Sequence, residues 1–106
     1  MSKIELSHVE GFDWDHGNSQ KSFDKHGVTQ AECEQVFLNE PLAVAVDTPH
    51  STVEARFNAL GKTGAGRLLH VTFTIRDGGR LIRIISARDM NRKEKTAYGK
   101  STEENS

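Results

Sequence analysis

The sequence predicts an α+β fold, in which helices pack on an antiparallel β-sheet in the order β-α-α-β-β-β-β-α. Three observations lead to this prediction. Apolar and polar residues alternate over residues 67–76, which is typical of a strand with one face on a core. A second strand-like segment follows it after a short glycine turn, as in an antiparallel hairpin. Two segments with helix-capping residues precede these strands.

The first half of the chain is predicted to hold one edge strand and two helices. Residues 12–15 alternate between apolar and acidic side chains, which suits a short edge strand. Asp15 can cap a helix that ends near His26. Thr29 opens a Thr-x-x-Glu capping box, so a second helix is expected over about residues 30–38.

The second half is predicted to form four strands and a last helix. The continuous apolar run at 42–46 indicates a buried strand, and another strand is expected at 54–61, with Ala55, Phe57 and Ala59 on one side. Residues 67–76 and 80–88 form the predicted hairpin, which an Asp-Gly-Gly turn joins. These strands are expected to make up most of one sheet.

The chain is expected to be one small cytoplasmic domain, since 106 residues can bury a single modest core. The globular part is expected over about residues 12–99, closed by a helix that ends near Gly99, with a flexible acidic tail at 100–106. No apolar run is long enough for a membrane span or a signal peptide. The single cysteine, Cys33, excludes an internal disulfide and is expected in the core.

Charge is divided unevenly along the chain, although the net charge is only −1. Residues 1–55 hold three lysines and ten carboxylates, whereas residues 56–100 hold eleven lysines and arginines and three carboxylates. The basic half also contains the clearest strand patterns, so its arginines can lie on a rigid sheet. We therefore expect this half to bind a polyanion, and nucleic acid in particular.

The arginines of the hairpin are the first candidates for a site. Arg83 is expected on a largely apolar face of the strand at 80–88, together with Ala87, where an unpaired guanidinium would be costly to bury. It is therefore expected either to form a structural ion pair or to bind phosphate in a cleft with Arg76 and Arg88. The candidate partners for an ion pair are Glu32, Glu54 and Glu94.

Further candidates lie at helix ends and on the polar strand face. Lys25 and His26 could transfer protons or bind phosphate, or they could simply compensate the helix dipole. The predicted RNA-binding residues are His70, Arg80, Arg92 and Lys93, of which Lys93 could equally face water. His8, His16 and His50 are expected to be ordinary surface residues. Neither zinc-type spacing nor a carboxylate cluster is present, so no metal and no cofactor is expected.

Several of these segments together resemble the BrnT family of type II toxins. The matching residues are Phe12-Asp-Trp-Asp15, Lys25-His-Gly-Val28, Ala31, Val36-Phe37, Glu54-x-Arg56, Leu60-Gly61, Gly66-Arg-Leu68, Ile82-Arg-Ile-Ile-Ser-Ala-Arg88, Glu94 and Tyr98. They extend over about residues 12–98, almost the whole predicted domain. Ser22, where family members often carry Asn, and Asp24 depart from the pattern.

The resemblance implies a RelE-like fold, metal-independent ribonuclease activity that inhibits translation, and neutralisation by a cognate BrnA-like ribbon-helix-helix antitoxin. The pair would repress its own promoter, with DNA contacted only through the antitoxin.

On this basis we expect cleavage of RNA by its own 2′-hydroxyl, which DNA lacks. Arg83 and Arg88 are expected to hold the phosphate with support from Arg76, while Lys25 and His26 transfer protons. The alternative is a non-catalytic module that binds RNA or an acidic protein through a basic sheet face. Only the toxin predicts growth arrest on expression, relieved by a small neighbouring gene product.

Overall fold

A computed structural model describes residues 6–48 and 54–104, without the side chains of residues 19, 21–23 and 101–104. The elements are β1 (Gly11–Phe12), α1 (His16–His26), α2 (Gln30–Leu38), β2 (Ala43–Val46), β3 (Phe57–Lys62), β4 (Leu68–Arg76), β5 (Leu81–Asp89) and α3 (Arg92–Glu104). The strands form one five-stranded sheet in the order β1-β5-β4-β3-β2. The predicted α+β class is therefore confirmed. His50, one of the predicted surface histidines, lies outside the described residues.

The sheet is mixed, although the sequence predicts a wholly antiparallel one. Strands β2 to β5 pair antiparallel, but β1 pairs parallel with β5, with Phe12 opposite Ile82. The backbone N–H of Asp13 extends this pairing by donating to the carbonyl of Ile82 at 2.8 Å. The parallel direction is possible because β1 and β5 are distant in the chain, so that no tight turn joins them.

Three strands differ from their predicted positions. β1 is an edge strand as predicted, but it covers Gly11–Phe12 instead of residues 12–15. The apolar run predicted as a buried strand forms β2 at the edge of the sheet, where Val46 is 45% exposed, because no further strand or helix covers its outer end in the described ranges. β3 begins at Phe57 instead of Glu54, so Ala55 precedes the strand and is exposed, whereas Ala59 is buried. The carbonyl of Ala55 accepts a hydrogen bond from the Thr74 hydroxyl at 2.7 Å, in place of a strand partner.

The first two helices have the predicted ends, and their caps explain why. The side chain of Asp15 accepts the backbone N–H of Asn18 at 3.0 Å, which begins α1. Gly27 ends it with φ +66°, a conformation that favours glycine. Thr29 caps α2 through the predicted reciprocal hydrogen bonds with Glu32.

The last helix extends to Glu104, so the predicted end near Gly99 is wrong and the backbone of residues 100–104 is helical. A glycine inside a helix costs about 1 kcal/mol relative to alanine, which is too little to end a helix that packing holds in place. Tyr98 provides such packing, because its buried ring is fixed by a hydrogen bond of 2.7 Å from its hydroxyl to the carbonyl of Pro41.

The core lies between one face of the sheet and α2. Its buried members are Val28, Cys33, Val36, Ala59, Leu69, Val71, Phe73, Ile82, Ile84 and Ala87, which confirms the predicted position of Cys33. Gly61 lets β3 approach α2 closely, since a Cβ at this position would lie 2.7 Å from Cγ1 of Val36. No helix in the described ranges is long and apolar enough to cross a membrane.

A β-bulge in β5 decides which residues face the core. Phe73 pairs with Ile84, but Thr72, the residue before Phe73 in β4, pairs with Ser86. This leaves Ile85 without a strand partner. Beyond the bulge the alternation reverses, so Ala87 joins the core and Arg88 turns to the opposite face. The prediction that Arg83 and Ala87 share a face is therefore wrong.

Candidate functional site

An open cleft of about 590 Å³ lies between the start of α1 and the strands β4 and β5. Arg76 at the end of β4 and Arg83 in β5 both line it, so two of the predicted phosphate ligands come together on adjacent strands. The other charged or titratable lining residues are Asp15, His16, Glu54 and Arg56. Because both hairpin arginines start from a paired strand, their backbone positions are rigid.

Arg83 forms an ion pair with two aspartates at the start of α1. Its Nη2 lies 2.8 Å from Oδ2 of Asp15, and its Nη1 lies 3.5 Å from Oδ1 of Asp13. A structural ion pair is one of the two predicted environments, but its partners are neither Glu32, Glu54 nor Glu94. The hydrogen bond from the Asn18 backbone, and after it the Arg83 guanidinium, hold the pKa of Asp15 below its usual range.

Arg76 holds Glu54 with two parallel hydrogen bonds. Its Nε donates to Oε2 at 3.1 Å and its Nη2 donates to Oε1 at 2.9 Å. This bond to Arg76 lowers the pKa of Glu54, and the charges of Arg56 and Arg83 lower it further. The guanidinium group of Arg76 thus holds the carboxylate of Glu54 in the position where it could hold a phosphate, with the same pair of hydrogen bonds.

Arg88 belongs to a separate cluster further along the same face of β5. Both oxygens of Glu94, at the start of α3, accept hydrogen bonds from it, at 2.8 and 2.9 Å. His70 is also in this cluster, with its Nε2 3.7 Å from Glu94. Burial, and after it the charge of Arg88, lower the pKa of His70. At about 3.3 Å per residue, Arg88 lies roughly 15 Å along the strand from Arg83, so as placed they do not hold one phosphate together.

Lys25 and His26 lie at the opposite end of α1 from the cleft. An eleven-residue helix spans roughly 15 Å, and both side chains are exposed. The carbonyl of His26 accepts a hydrogen bond from Nη2 of Arg67 at 3.2 Å. Arg67 also binds Asp89 and Glu32, so this end of the helix is attached to the sheet by a structural arginine. The structure does not bring Lys25 and His26 together with Arg83.

The remaining predicted RNA ligands are spread over two places. Arg80 lies at the hairpin turn, where it pairs with Asp77 at 2.6 Å. Arg92 and Lys93 line a shallow groove of about 540 Å³ along α3, together with Lys100. Among the described side chains, no carboxylate forms an ion pair with Arg92, Lys93 or Lys100.

Eight of the ten lining residues of the cleft are absent from the predicted site, and four of them, Asp15, His16, Glu54 and Arg56, are charged or titratable. His16 is predicted as an ordinary surface residue, yet it lines the cleft because it directly follows the helix cap Asp15. Glu54 and Arg56 precede β3, and the one sequence signal for them is their acid-x-base spacing at the start of the predicted strand. Within residues 6–48 and 54–104, no three His, Cys, Asp or Glu side chains are grouped so that they could hold a metal ion.

Comparisons with known proteins agree with the resemblance seen in the sequence. Residues 14–94 match the family described as the ribonuclease toxin, BrnT, of type II toxin–antitoxin systems. The fold is similar to that of the Brucella abortus ribonuclease toxin BrnT, known from a crystal structure at 1.1 Å resolution. That match has 22% sequence identity and a TM-score of 0.55, and it covers 79% of this chain and 100% of the Brucella chain. A search among curated proteins found no match.

Proposed function

The chain belongs to the BrnT family of ribonuclease toxins of type II toxin–antitoxin systems, and from this premise we propose that it cleaves RNA in the cleft lined by Arg56, Arg76 and Arg83. Membership in this family implies an RNA substrate and an antitoxin partner. The observation that carries the proposal is the meeting of three guanidinium groups with His16 and Glu54 in one open cleft.

The proposed reaction uses the 2′-hydroxyl of the RNA as the nucleophile. Its oxygen bonds to the adjacent phosphorus while the bond from phosphorus to the 5′ oxygen breaks, which leaves a 2′,3′-cyclic phosphate and a free 5′-hydroxyl. One group must accept the proton of the 2′-hydroxyl, and another must donate a proton to the leaving oxygen. Negative charge grows on the phosphate oxygens in the transition state, and fixed guanidinium groups stabilise it without a metal.

Arg83 and Arg76 are the proposed phosphate ligands. Each now binds a carboxylate, Arg76 with two parallel hydrogen bonds to Glu54 and Arg83 with one hydrogen bond to Asp15. RNA binding would therefore exchange one anion for another. Within the cleft, His16 and Glu54 are candidates for proton transfer, since both side chains line it.

The predicted roles of Arg88, Lys25 and His26 stay predictions. In the present conformation Arg88 binds Glu94, and the other two residues lie a helix length from Arg83. Arg88 and His70 share the sheet face of the cleft, so they could contact a neighbouring nucleotide. Arg80, Arg92 and Lys93 are proposed to hold flanking RNA, unless the antitoxin covers α3.

The identity of the partner and the wider fold label are also proposals. We expect the antitoxin to be a BrnA-like ribbon-helix-helix protein, through which the toxin contacts DNA indirectly. We also expect the fold to be RelE-like, for which the antiparallel strands β2 to β5 with helices packed on them are the support.

The proposed activity is tested with purified protein, excess EDTA and two matched oligonucleotides. One is RNA throughout, and the other carries a 2′-deoxy sugar at the mapped cleavage position. We expect the RNA to be cleaved to a 2′,3′-cyclic phosphate and the substituted strand to stay intact. Loss of cleavage in EDTA would instead indicate a metal-dependent nuclease. A folded protein that neither cleaves RNA nor arrests growth on expression would favour the non-catalytic binding module.

A further inference from the structure

The carboxylate of Asp15 makes two contacts that serve different purposes. Its Oδ1 accepts the backbone N–H of Asn18 at 3.0 Å, which caps α1. Its Oδ2 accepts a hydrogen bond from Nη2 of Arg83 at 2.8 Å, across a sequence separation of 68 residues. The two functions therefore rest on different oxygens of one side chain, and a substitution can separate them.

The segment that carries Asp15 is firmly attached to β5 on both sides of Arg83. The Asp13 backbone N–H donates to the carbonyl of Ile82, and Nδ2 of Asn18 donates to the carbonyl of Ile84 at 3.0 Å. Asn18 is buried, and its Oδ1 accepts the backbone N–H of Asp15 at 2.7 Å. The backbone of Asp15 is thus fixed relative to the strand that carries Arg83. A carboxylate on an unattached loop would not be fixed in this way.

We propose that Asp15 is a positioning residue for Arg83 in RNA cleavage, and that its charge at the same time weakens RNA binding in the cleft. This inference rests on the proposed ribonuclease function. The side chain of Arg83 is 21% exposed and that of Asp15 is 56% exposed, so the pair borders the open cleft where a phosphate would approach.

The two effects act in opposite directions. Holding the guanidinium in one orientation favours the transition state, because a freely rotating arginine would be aimed at the phosphate for only part of the time. The negative charge of Asp15 repels the approaching phosphate and competes with it for Arg83. Removing the charge alone should therefore slow the chemical step and tighten binding.

The test compares Asp15→Asn with Asp15→Ala. Asparagine retains an oxygen that can cap α1 and removes the negative charge, whereas alanine removes both. Thr29→Ala is the matched control for a lost helix cap, since Thr29 caps α2 in the same way and does not line the cleft. The measurements are kcat and KM for cleavage of a short RNA, together with Kd for the 2′-deoxy strand.

For Asp15→Asn we expect kcat to fall about ten-fold or more, while Kd for the deoxy strand decreases about five-fold. A purely structural role for Asp15 would lower the folded fraction, and hence kcat, without tightening binding. Thr29→Ala should show that structural pattern at most.

The outcomes separate this inference from the proposed function. Suppose that Arg83→Ala abolishes cleavage while Asp15→Asn matches the unaltered protein in both kcat and Kd. The positioning role of Asp15 is then overturned, but the assignment of the cleft as the site of RNA cleavage stands. If Asp15→Asn lowers kcat and the folded fraction together without tighter binding, Asp15 has a purely structural role and the whole proposal is overturned. If kcat falls at an unchanged folded fraction without tighter binding, only the second half of the proposal is overturned. Full cleavage by Arg83→Ala would overturn both this inference and the assignment of the cleft.

Discussion

Arg83 and Arg88 lie on the same face of β5, where they pair with Thr74 and His70 of β4. They do so although Arg88 is five positions after Arg83, which is an odd spacing. In a regular strand this spacing would place them on opposite faces. The bulge at Ile85 reverses the alternation between them. One sheet face therefore presents two arginines whose backbone positions lie roughly 15 Å apart. The first lies in the cleft and the second beside α3.

This arrangement predicts that the two arginines contribute unequally to catalysis. Arg83→Ala should lower kcat/KM about 10²- to 10³-fold, as expected when a group that stabilises transition-state charge is removed. Arg88→Ala should have the smaller effect, since Arg88 is engaged by Glu94 outside the cleft. The measurement is cleavage of a short RNA in EDTA, with Lys62→Ala, an exposed cation at the end of β3, as the control for charge.

Lys25→Ala belongs in the same assay, because Lys25 is a predicted proton-transfer residue. A loss as large as that of Arg83→Ala would mean that the end of α1 reaches the reacting phosphate, against the placement of the cleft. Cleavage by Arg83→Ala at the rate of the unaltered protein would contradict the assignment of Arg83 itself.

A second prediction concerns stability and depends on Asn18. Its side chain makes hydrogen bonds with the carbonyls of Asp13 and Ile84 and with the backbone N–H of Asp15, and it is only 8% exposed. Asn18→Ala should lower the free energy of unfolding by about 2–4 kcal/mol, because it leaves buried backbone groups without partners. Urea denaturation measures this change.

The control for that prediction is Asn39→Ala. The amide of Asn39 also donates to a backbone carbonyl, that of Lys62 at 3.0 Å, but this bond is exposed to water. Its loss should cost well under half as much as the loss of Asn18. Equal destabilisation by the two substitutions would show that α1 is not attached to β5 through Asn18.

The sequence predicts those parts of the fold that depend on neighbouring residues. The capping box of Thr29 and the positive φ of Gly27 are local, so the ends of both early helices could be predicted. The edge position of β2 could not, because an apolar run has the same composition at the edge and in the middle of a sheet. The bulge at Ile85 has a weak signal in β5, because the consecutive Ile84 and Ile85 interrupt the alternation, but only the register with β4 shows that this interruption is a bulge.

The candidate site follows the same rule. Arg76 and Arg83 could be predicted because they belong to one hairpin. Their partners, Glu54 and Asp15, come from segments distant in sequence that only the folded chain brings to the cleft. Residues that look alike in the sequence, such as Arg83 and Arg88, consequently turn out to lie in different clusters.

A third prediction concerns pH. Burial, and after it the charge of Arg88, lower the pKa of His70 from its ordinary value of 6.5. Because the folded state favours neutral His70, the stability that this residue contributes is present above the ordinary pKa. That contribution is lost as the pH falls from about 6.5 towards the lower pKa of the folded state.

Arg88→Ala should raise the pKa of His70, since Glu94 then acts on it without the opposing charge. The decrease in unfolding free energy between about pH 7.5 and about pH 5.5 should become smaller in this variant. NMR titration of the His70 ring measures its pKa. Urea denaturation at the two pH values measures how much the free energy of unfolding changes between them. An unchanged His70 titration in Arg88→Ala would refute the proposed coupling.

The last prediction concerns the groove along α3, which RNA and the antitoxin could each occupy. If Arg92 and Lys93 contact RNA phosphates, each alanine substitution should reduce the slope of log K against log salt by about 0.7, the value for one contact to a single strand. The measurement is binding of the non-cleavable 2′-deoxy strand between about 50 and 200 mM salt. Lys62→Ala, which removes a cation outside the groove, should leave the slope unchanged. If the slopes for Arg92→Ala and Lys93→Ala are unchanged as well, α3 is not part of the RNA-binding surface. A variant that has lost a phosphate contact releases fewer counterions when it binds RNA, so its slope would have to be smaller.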